Sequence, residues 1–309
     1  MTSHQAGKGR YARASVGLPA AEAIAAAHSG PTVPRIALGA QLRRLREASN
    51  ITAAEAADAI RAAHSKISRL ERGRTAARQR DVADLLTLYG VTDEAEREKM
   101  LALARQGSIP GWWHQYSDVL PRWLELYIGL EKAASMIRAY ELQFIHGLMQ
   151  TEDYARAVIL ISNADASAEE IDRRVGLRMQ RQNLLTQPDA PGLWAVLDEA
   201  ALRRSPDDRA VMRAQLKHLL QLTDLPNVTL QVVPFRAGPQ AAIGGPFTIL
   251  RFREPDLPDV VYLEQLSSAL YLDQPGDVLG YLTVMDRLCI QAATGAASRD
   301  MLRTLLKEE

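Results

Sequence analysis

The segment ITAAEAADAIRAAHSKISRLERG, from Ile51 to Gly73, has the pattern of two short helices joined by a tight turn. Thr52, followed by Glu55 three residues later, forms a capping box that predicts the start of the first helix. Gly73 predicts the end of the second helix. The apolar residues recur at a spacing that would close the two helices on each other. They are Ile51, Ala56, Ile60, Ala62, Ile67 and Leu70.

The second helix of this segment, predicted over His64–Arg72, carries polar and basic side chains on its outward side. An arginine such as Arg69 can bond O6 and N7 of guanine, while Ser65 and a neutral His64 can each donate or accept. A helix with this chemistry fits the major groove of DNA. An ordinary helical hairpin is the alternative interpretation.

Charge is unevenly distributed along the chain. The whole chain has 37 basic and 37 acidic residues, but between Arg35 and Arg80 the basic residues far outnumber the acidic ones. Such a local excess favours attraction to phosphates, although a solvated basic face is the alternative. The basic residues are Arg35, Arg43, Arg44, Arg46, Arg61, Lys66, Arg69, Arg72, Arg74, Arg78 and Arg80, and the acidic ones are Glu47, Glu55, Asp58 and Glu71.

Residues of about 36–90 resemble the repressor-type (Xre/Cro-like) helix-turn-helix family of phage and bacterial regulators. The match is most specific at SKISRLERG, Ser65 to Gly73. The resemblance implies base contacts from His64, Ser65 and Arg69. It also implies a structural pair between Arg46 of the first helix and Glu71, for which a bidentate geometry is suitable.

Three positions depart from that family's pattern. Arg61 stands where glycine is usual, so its backbone must avoid positive φ or be strained. Ala63 replaces a polar helix cap worth ~1 kcal/mol. Ala53 replaces a phosphate-binding glutamine, which leaves phosphate contacts to the backbone near Thr52 and to basic side chains. Those side chains are Arg43, Lys66, Arg74 and Arg78.

Length and composition indicate two domains in a reducing compartment. The chain has 309 residues, of which 47% are hydrophobic, enough for two separate cores. Its one cysteine, Cys289, excludes an internal disulfide and lies in an apolar helical run, where a buried side chain is expected. The sequence lacks an apolar run that could span a bilayer and lacks the pattern of a signal peptide.

The N-terminal domain is predicted to be an all-α, five-helix module over residues 35–107, behind a flexible arm over residues 1–34. Its first helix is expected at about Ile36–Ala48 and its fourth at Arg80–Tyr89. The fifth is expected to run from a cap at Thr92 to about Gln106. Residues 108–111 (Ser-Ile-Pro-Gly) are predicted to be a linker.

The remainder, residues 112–309, is predicted to be an α+β domain with a mixed sheet. Strands at Leu193–Asp198 and Val228–Phe235, with a helix near Pro206–Leu222 between them, indicate a parallel crossover. Three later segments separated by turn signals indicate an antiparallel extension, followed by helices from Pro275 onward. Those segments are Phe247–Phe252, Val260–Leu266 and Ala269–Asp273, and the earlier helices are expected at Pro121–Ala139, Glu152–Asn163 and Ala168–Thr186.

This region also resembles a known but uncharacterised domain. GWWHQYSDVLPRWLELYIGLEKAASMIRAYE, FIHGLMQTEDYARAV and LPDVVYLEQLSSALYLD are among the segments that are similar to the domain often found behind a helix-turn-helix in actinobacterial regulators. The resemblance implies no established chemistry. It makes a small protein partner one plausible input.

An aromatic cluster is the candidate ligand pocket of this domain. Trp112, Trp113, Tyr116 and Tyr154 could line an apolar pocket with polar tips. Packing in a core is the alternative, since the nearby Trp123 and Tyr127 have the spacing of a buried helical stripe.

An enzyme finds little support in the sequence. His114, His146 and His218 lack metal-binding spacing, and no nucleophile motif is present. Acidic residues near strand ends are more easily explained by surface or capping roles. We therefore expect no catalytic residue, metal site or cofactor. The acidic residues are Asp198, Glu199, Glu264 and Asp273.

Taken together, these patterns predict a cytoplasmic transcriptional regulator that binds double-stranded DNA as a homodimer. The C-terminal domain is expected to sense a small-molecule effector or protein partner, or to mediate dimerisation. One alternative is an antitoxin-like or scaffold protein that acts mainly through a small protein partner. Another is an enzyme with a DNA-targeting domain.

Overall fold

A computed structural model describes residues 30–204, 208–238, 244–254 and 257–309. Most of the predicted N-terminal arm, residues 1–29, therefore lies outside the described residues. The first described region confirms the prediction of an all-α, five-helix module. Its helices are α1 (Thr32–Ala48), α2 (Ala53–Ala59), α3 (His64–Glu71), α4 (Gln79–Leu88) and α5 (Glu94–Gly107).

Two helix starts differ from the prediction. Helix α1 begins at Thr32, earlier than the expected Ile36, because Thr32 and Val33 are buried and extend the helix into a second contact. Helix α5 is capped by Asp93, whose carboxylate accepts a hydrogen bond from the Ala95 N–H at 2.9 Å. The prediction that Thr92 caps this helix is wrong.

The second described region contains both helices and strands, which confirms an α+β domain. A single turn of 3₁₀ helix at Trp112–Tyr116 leads into it. The helices are α6 (Arg122–Ala133), α7 (Glu152–Ser162), α8 (Ala168–Gln182), α9 (Glu199–Arg203), α10 (Arg209–Leu222), α11 (Pro275–Gln291) and α12 (Gly295–Glu308). The strands are β1 (Met136–Glu141), β2 (Gly192–Asp198), β3 (Val228–Val233), β4 (Phe247–Arg251), β5 (Val260–Glu264) and β6 (Ala269–Leu272).

The six strands form one mixed sheet in the order β3-β2-β1-β4-β5-β6. Strands β1, β2 and β3 are parallel, so the predicted crossover between β2 and β3 is confirmed. Strand β4 pairs antiparallel with β1, and β5 and β6 continue the antiparallel arrangement. The mixed sheet is therefore as predicted.

The predicted helix Pro121–Ala139 is wrong in its second half. The helix ends at Ala133, and Met136–Glu141 is strand β1, which pairs with β2 on one side and β4 on the other. Side chains of β1 alternate between the two faces of the sheet, with Ile137 in one core and Tyr140 in the other. Pairing on both edges outweighs the local preference of Met, Arg, Ala and Glu for helix.

The sheet separates two apolar cores. The larger core packs one face against α6, α7, α10 and α12. On the opposite face, α11 is the only helix of the described residues that joins the core, through Val278, Met285 and Leu288. No described helix is long and apolar enough to cross a membrane.

Helix α1 belongs to both regions. Its first turn packs against α6, where Thr32 lies so close to Gly129 that a β-carbon at position 129 would overlap it. Ile36 packs against the larger core of the sheet domain. Further along, Gly39 allows the carbonyl of Leu70 at the end of α3 to approach the helix backbone. The same helix therefore contacts the sheet domain and supports α3.

Candidate nucleic-acid interface

Helices α2 and α3 are joined by a turn that requires an unusual backbone at Arg61. This residue has a φ of 52°, in the left-handed region where glycine is usual. The Arg61 N–H donates to Asp58 O at 3.0 Å and the Ala62 N–H to Ala57 O at 2.9 Å, which closes the end of α2. The turn thus keeps its hydrogen bonds, and a non-glycine residue adopts the strained conformation.

The two helices begin differently. At α2 the capping box is complete: Glu55 N–H donates to Thr52 Oγ1 at 3.2 Å, and Thr52 N–H donates to Glu55 Oε2 at 2.7 Å. The bond from the Thr52 backbone lowers the pKa of the Glu55 carboxyl. At α3 the capping residue is Ala63, which has extended backbone and no side-chain capping bond.

Helix α3 has a buried side and an exposed side. Ile67 and Leu70 are buried in the core of the five-helix module. The three residues predicted to contact bases, His64, Ser65 and Arg69, are all exposed on the other side. The fold therefore presents these three side chains together on one accessible helix surface.

Two further residues on this helix were not assigned from the sequence. Arg72 is exposed, and it donates to Ser68 Oγ at 2.7 Å and to Ser68 O at 2.9 Å. Ser68 lies one turn after His64 and Ser65, so the pair extends the polar surface of α3 toward its C-terminal end. The spacing of four residues between Ser68 and Arg72 was a signal available in the sequence.

Lys66, assigned from the sequence to phosphate contact, is engaged within the protein. Its Nζ lies 2.5 Å from Asp81 Oδ2 in the first turn of α4, where the Asp81 side chain is largely buried. The ion pair connects α3 to α4. A phosphate can reach the Lys66 ammonium only by sharing it with Asp81.

The other predicted phosphate-contacting residues lie at the surface. Arg43 is exposed on α1 and pairs with Glu47 at 2.8 Å. Arg74 and Arg78 are exposed in the segment between α3 and α4. Thr52 is exposed as well, but its N–H is already bonded to Glu55. Exposed guanidinium groups therefore lie both before and after α3 along the chain.

Arg46 and Glu71 form a bidentate pair between α1 and α3. Arg46 Nε donates to Glu71 Oε1 at 2.6 Å and Nη2 donates to Oε2 at 3.1 Å. A third bond, from Nη1 to the carbonyl of Ile51, reaches the loop before α2 at 2.9 Å. The hydrogen bonds with Glu71 raise the pKa of the largely buried Arg46 guanidinium.

The aromatic residues proposed for a ligand pocket are divided between two places. Trp112, Trp113 and Tyr116 lie together, and the ring of Trp112 meets the rings of Trp113 and Tyr116 edge-on at 5.9 and 6.3 Å. Trp113 is buried and packs with Ile128 of α6. These residues form a small core between the 3₁₀ helix, α6 and α8.

Tyr154 lies apart from this group. It is fully buried in the larger core, where its hydroxyl accepts a hydrogen bond from the Ile145 N–H at 3.4 Å. Its position on α7 is set by Thr151, whose hydroxyl accepts from the Tyr154 N–H. The structure does not bring Tyr154 to the tryptophans.

A shallow cleft beside Trp112 has a volume of about 40 Å³. That is far below the ~300–1,000 Å³ of a site for a drug-sized ligand. Its lining includes the buried ion pair in which Arg181 donates to both oxygens of Glu131, at 3.0 and 2.8 Å. A cleft of this volume does not admit a bulky molecule in this conformation.

Burial shifts the pKa of two other ionisable groups in the sheet domain. The pKa of Glu141, at the end of β1, is raised to about 8, mainly by burial and secondly by the neighbouring Glu264. Burial also lowers the pKa of His146 to about 4, so that its imidazole is neutral at pH 7.

The acidic residues considered for catalysis form local hydrogen bonds or lie at exposed positions. Asp198 caps α9 by accepting from the Ala200 N–H at 2.7 Å, and Glu199 accepts from the Phe235 N–H and from Arg203. Glu264 is the last residue of β5, and Asp273 directly follows β6. Both residues are exposed. Within the described ranges, no group of three His, Cys, Asp or Glu residues is placed to hold a metal ion.

Two family models match the chain. Residues 37–100 match a helix-turn-helix domain, which covers α2, α3 and the surfaces described above. Residues 124–304 match a domain of unknown function, DUF5753, which covers all six strands of the sheet. No curated protein and no solved structure matches the chain.

Proposed function

Because the chain belongs to the family defined by the domain of unknown function DUF5753 and has a helix-turn-helix domain before it, we propose that it is a sequence-specific DNA-binding transcriptional regulator. The observation that carries the proposal is the exposed polar surface of α3, with His64, Ser65 and Arg69 directed away from the core. A helix of this kind enters the major groove with its N-terminal residues against base edges.

Base reading is assigned to the exposed side of α3, the recognition helix. Arg69 suits a guanine, to which it can donate two hydrogen bonds. His64 and Ser65, in the first turn, can donate or accept and so suit several bases. Arg72, held by Ser68, lies at the far end of the same surface and can extend contact to another base or to a phosphate.

Phosphate binding is assigned to residues outside the groove-facing surface. Arg43, Arg74 and Arg78 are the principal candidates because their guanidinium groups are exposed. Thr52 is assigned to phosphate binding through the backbone at the start of α2. Lys66 can bind a phosphate only in competition with Asp81. Such contacts fix the position of a protein on the duplex without reading sequence.

The DUF5753 domain is proposed to provide dimerisation and to receive the regulatory signal, from a ligand or a protein partner. One recognition helix reads only a few base pairs, so adequate specificity usually requires two half-sites. The α1 contacts with both α3 and the sheet domain support this division of labour, since a change in the sheet domain would move the helix beneath Leu70.

An antitoxin-like or scaffold protein is the second candidate. The favouring observation is the group of Trp112, Trp113 and Tyr116, which is too closely packed for a small-molecule pocket but has Trp112 partly exposed. Such a protein would form a stable stoichiometric complex with a small protein and would show no operator recognition of its own.

The test is selection of bound duplexes from a random pool by the full chain, followed by footprinting and a salt titration. We expect an inverted repeat with half-site centres about 10 base pairs apart or a multiple of a helical turn. Affinity should fall steeply with salt because phosphate contacts release counterions. Binding without sequence enrichment would overturn the proposal, and protection of one isolated half-site would overturn its two-fold form.

A further inference from the structure

Helix α11 leaves large apolar side chains uncovered on the side that faces away from the sheet. Val278, Met285 and Leu288 are buried against the sheet. In contrast, Leu279 is 65% exposed and Ile290 is 83% exposed. Solvent-exposed apolar side chains that share one surface indicate an interaction site.

The exposed positions of α11 follow a heptad. Leu279, Thr283, Asp286 and Ile290 are separated by four, three and four residues and are all exposed. This spacing is that of the alternating d and a positions through which helices pair. We call these four residues the α11 stripe.

Further apolar surface lies beside the stripe. Leu270 on β6 pairs with Leu263, which places it on the α11 side of the sheet, and it is 53% exposed. Leu266, in the turn before β6, is fully exposed. Four of the nine large exposed apolar side chains of the described residues therefore lie between positions 266 and 290, including the two that are most exposed.

We propose that the α11 stripe is the surface through which two copies of this chain associate, with their α11 helices packed antiparallel across a two-fold axis. The inference rests on the proposed function to the extent that two half-sites require two recognition helices. It adds the surface, the orientation and the register of that association.

The stripe is complementary to itself in the antiparallel orientation. In antiparallel pairs of helices, an a position faces a d position. Leu279 would thus meet Ile290 of the second copy, at both ends of the contact. Between these apolar ends, Thr283 would face Asp286 of the second copy and its hydroxyl could donate to that carboxylate. Both copies use the same residues, as a two-fold interface requires.

Charge disfavours the parallel orientation. A parallel pair in register would place Asp286 against Asp286 of the second copy, and such like charges repel. The antiparallel pair separates them and brings each to a hydroxyl. Asp286 also has cationic neighbours, with Arg138 at 3.8 Å and Arg287 next in sequence. A central polar layer between apolar layers is a common device for fixing register.

Two glycines on the outward side allow close approach of a second helix. Gly276 and Gly280 are one turn apart, and a β-carbon at either position would meet nothing within 4 Å. Glycine inside a helix costs ~1 kcal/mol relative to alanine. The cost at Gly280 has no compensation within one copy, whereas an approaching helix would use the space.

The first test is the molar mass of the full chain in solution without DNA, by light scattering and sedimentation. We expect a dimer at tens of micromolar and at least about a tenfold weaker association for Leu279→Glu/Ile290→Glu. Leu160→Glu/Ile161→Glu, which introduces the same two charges at positions that are 45% and 69% exposed on α7, is the matched control. Thermal melting of both variants should match that of the wild type at a concentration too low for association, since the substituted side chains are exposed.

The second test fixes orientation by disulfide formation in a Cys289→Ser background. The antiparallel pair predicts that Leu279→Cys/Ile290→Cys cross-links, whereas either single cysteine does not. In that geometry two copies of position 279 lie about 16 Å apart along the axis. Efficient cross-linking of Leu279→Cys alone would overturn the antiparallel orientation.

A monomeric wild type, or unchanged dimerisation of the Leu279→Glu/Ile290→Glu variant, would overturn the proposal that the α11 stripe is the dimer interface. Neither result concerns DNA, so base reading by α3 would stand. Conversely, a dimer that depends on the stripe but selects no DNA sequence would overturn the proposed function and leave the interface in place.

Discussion

The guanidinium of Arg46 holds the carboxylate of Glu71 with two hydrogen bonds and the carbonyl of Ile51 with a third. One side chain thus fixes the last turn of α3 relative to α1 and to the loop that leads into α2. Both partners are largely buried, with 13% and 9% of their side-chain surface exposed.

Replacing Arg46 should therefore destabilise the five-helix module. Arg46→Lys keeps the charge but loses the planar fork, and we expect a loss of about 1–2 kcal/mol in the free energy of unfolding. Arg44→Lys is the matched control, because Arg44 is exposed and its side chain bonds the partly exposed Gln41. Urea unfolding of both variants measures the difference, and equal stabilities would contradict a structural role for the pair.

Arg69 and Lys66 should differ in how they affect DNA binding. Arg69→Ala is expected to weaken specific binding by roughly 1–3 kcal/mol and to relax preference at one base position. Lys66→Ala should lower affinity evenly across sequences, and also lower stability because Asp81 loses its partner. Competition binding with single-base operator variants measures both.

Arg105→Ala, on the exposed side of α5, serves as the control that removes a positive charge away from α3. Wild-type affinity and specificity in Arg69→Ala and Lys66→Ala together would show that α3 does not occupy the groove.

Glycine at position 61 should stabilise the protein. Arg61 has a φ of 52°, and relief of left-handed strain offsets the added flexibility of the unfolded chain, for a net gain of up to about 1 kcal/mol in Arg61→Gly. Arg61→Ala removes the same charge but keeps a β-carbon, so it should show no gain. Melting temperatures of the two variants decide the point, and a more stable alanine variant would refute it.

Glu141 should make stability fall as the pH rises. Its pKa is about 8 in the folded chain and 4.5 ordinarily. Between these values the folded chain holds a proton that the unfolded chain releases, so stability present near pH 4.5 is lost on approaching pH 8. Linkage gives ~1.4 kcal/mol for each unit of pKa difference.

Glu141→Gln removes this titration, so its free energy of unfolding should depend less on pH over that interval. Glu152→Gln, at an exposed position on α7, should keep the wild-type dependence. Denaturant unfolding at a series of pH values gives the slopes, and identical slopes for wild type and Glu141→Gln would exclude the titration. The guanidinium of Arg178 opposes the rise in the Glu141 pKa, and the neighbouring Glu264 adds to it.

Local rules account for what the sequence predicted correctly. The Thr52 capping box depends on residues three positions apart, and the short apolar runs of β2 and β5 are equally local. Strand β1 was missed because its residues favour helix and only pairing with β2 and β4 overrides that preference. Because helix α6 ends just before β1, the predicted helix was extended into the strand.

Contacts between residues that are far apart in the sequence could not be predicted from residue spacing. Lys66 of α3 meets Asp81 in the first turn of α4, and the sequence gives no distance between those helices. Tyr154 was grouped with Trp112 by composition, yet α7 places it in the larger core and the 3₁₀ helix places Trp112 in the smaller one. Arg46 and Glu71, in contrast, were paired through a family resemblance.

Helix α1 has a thermodynamic consequence for the whole chain. Thr32 packs against Gly129, and Ile36 packs against the core of the sheet domain. Gly39 and Arg46 of the same helix contact α3. Unfolding of either domain would remove the contacts at one end of α1. The other domain, which packs on the same helix, would then be destabilised. A scanning calorimeter should therefore record a single endotherm for the two cores, and a fragment ending at the predicted linker should melt well below it.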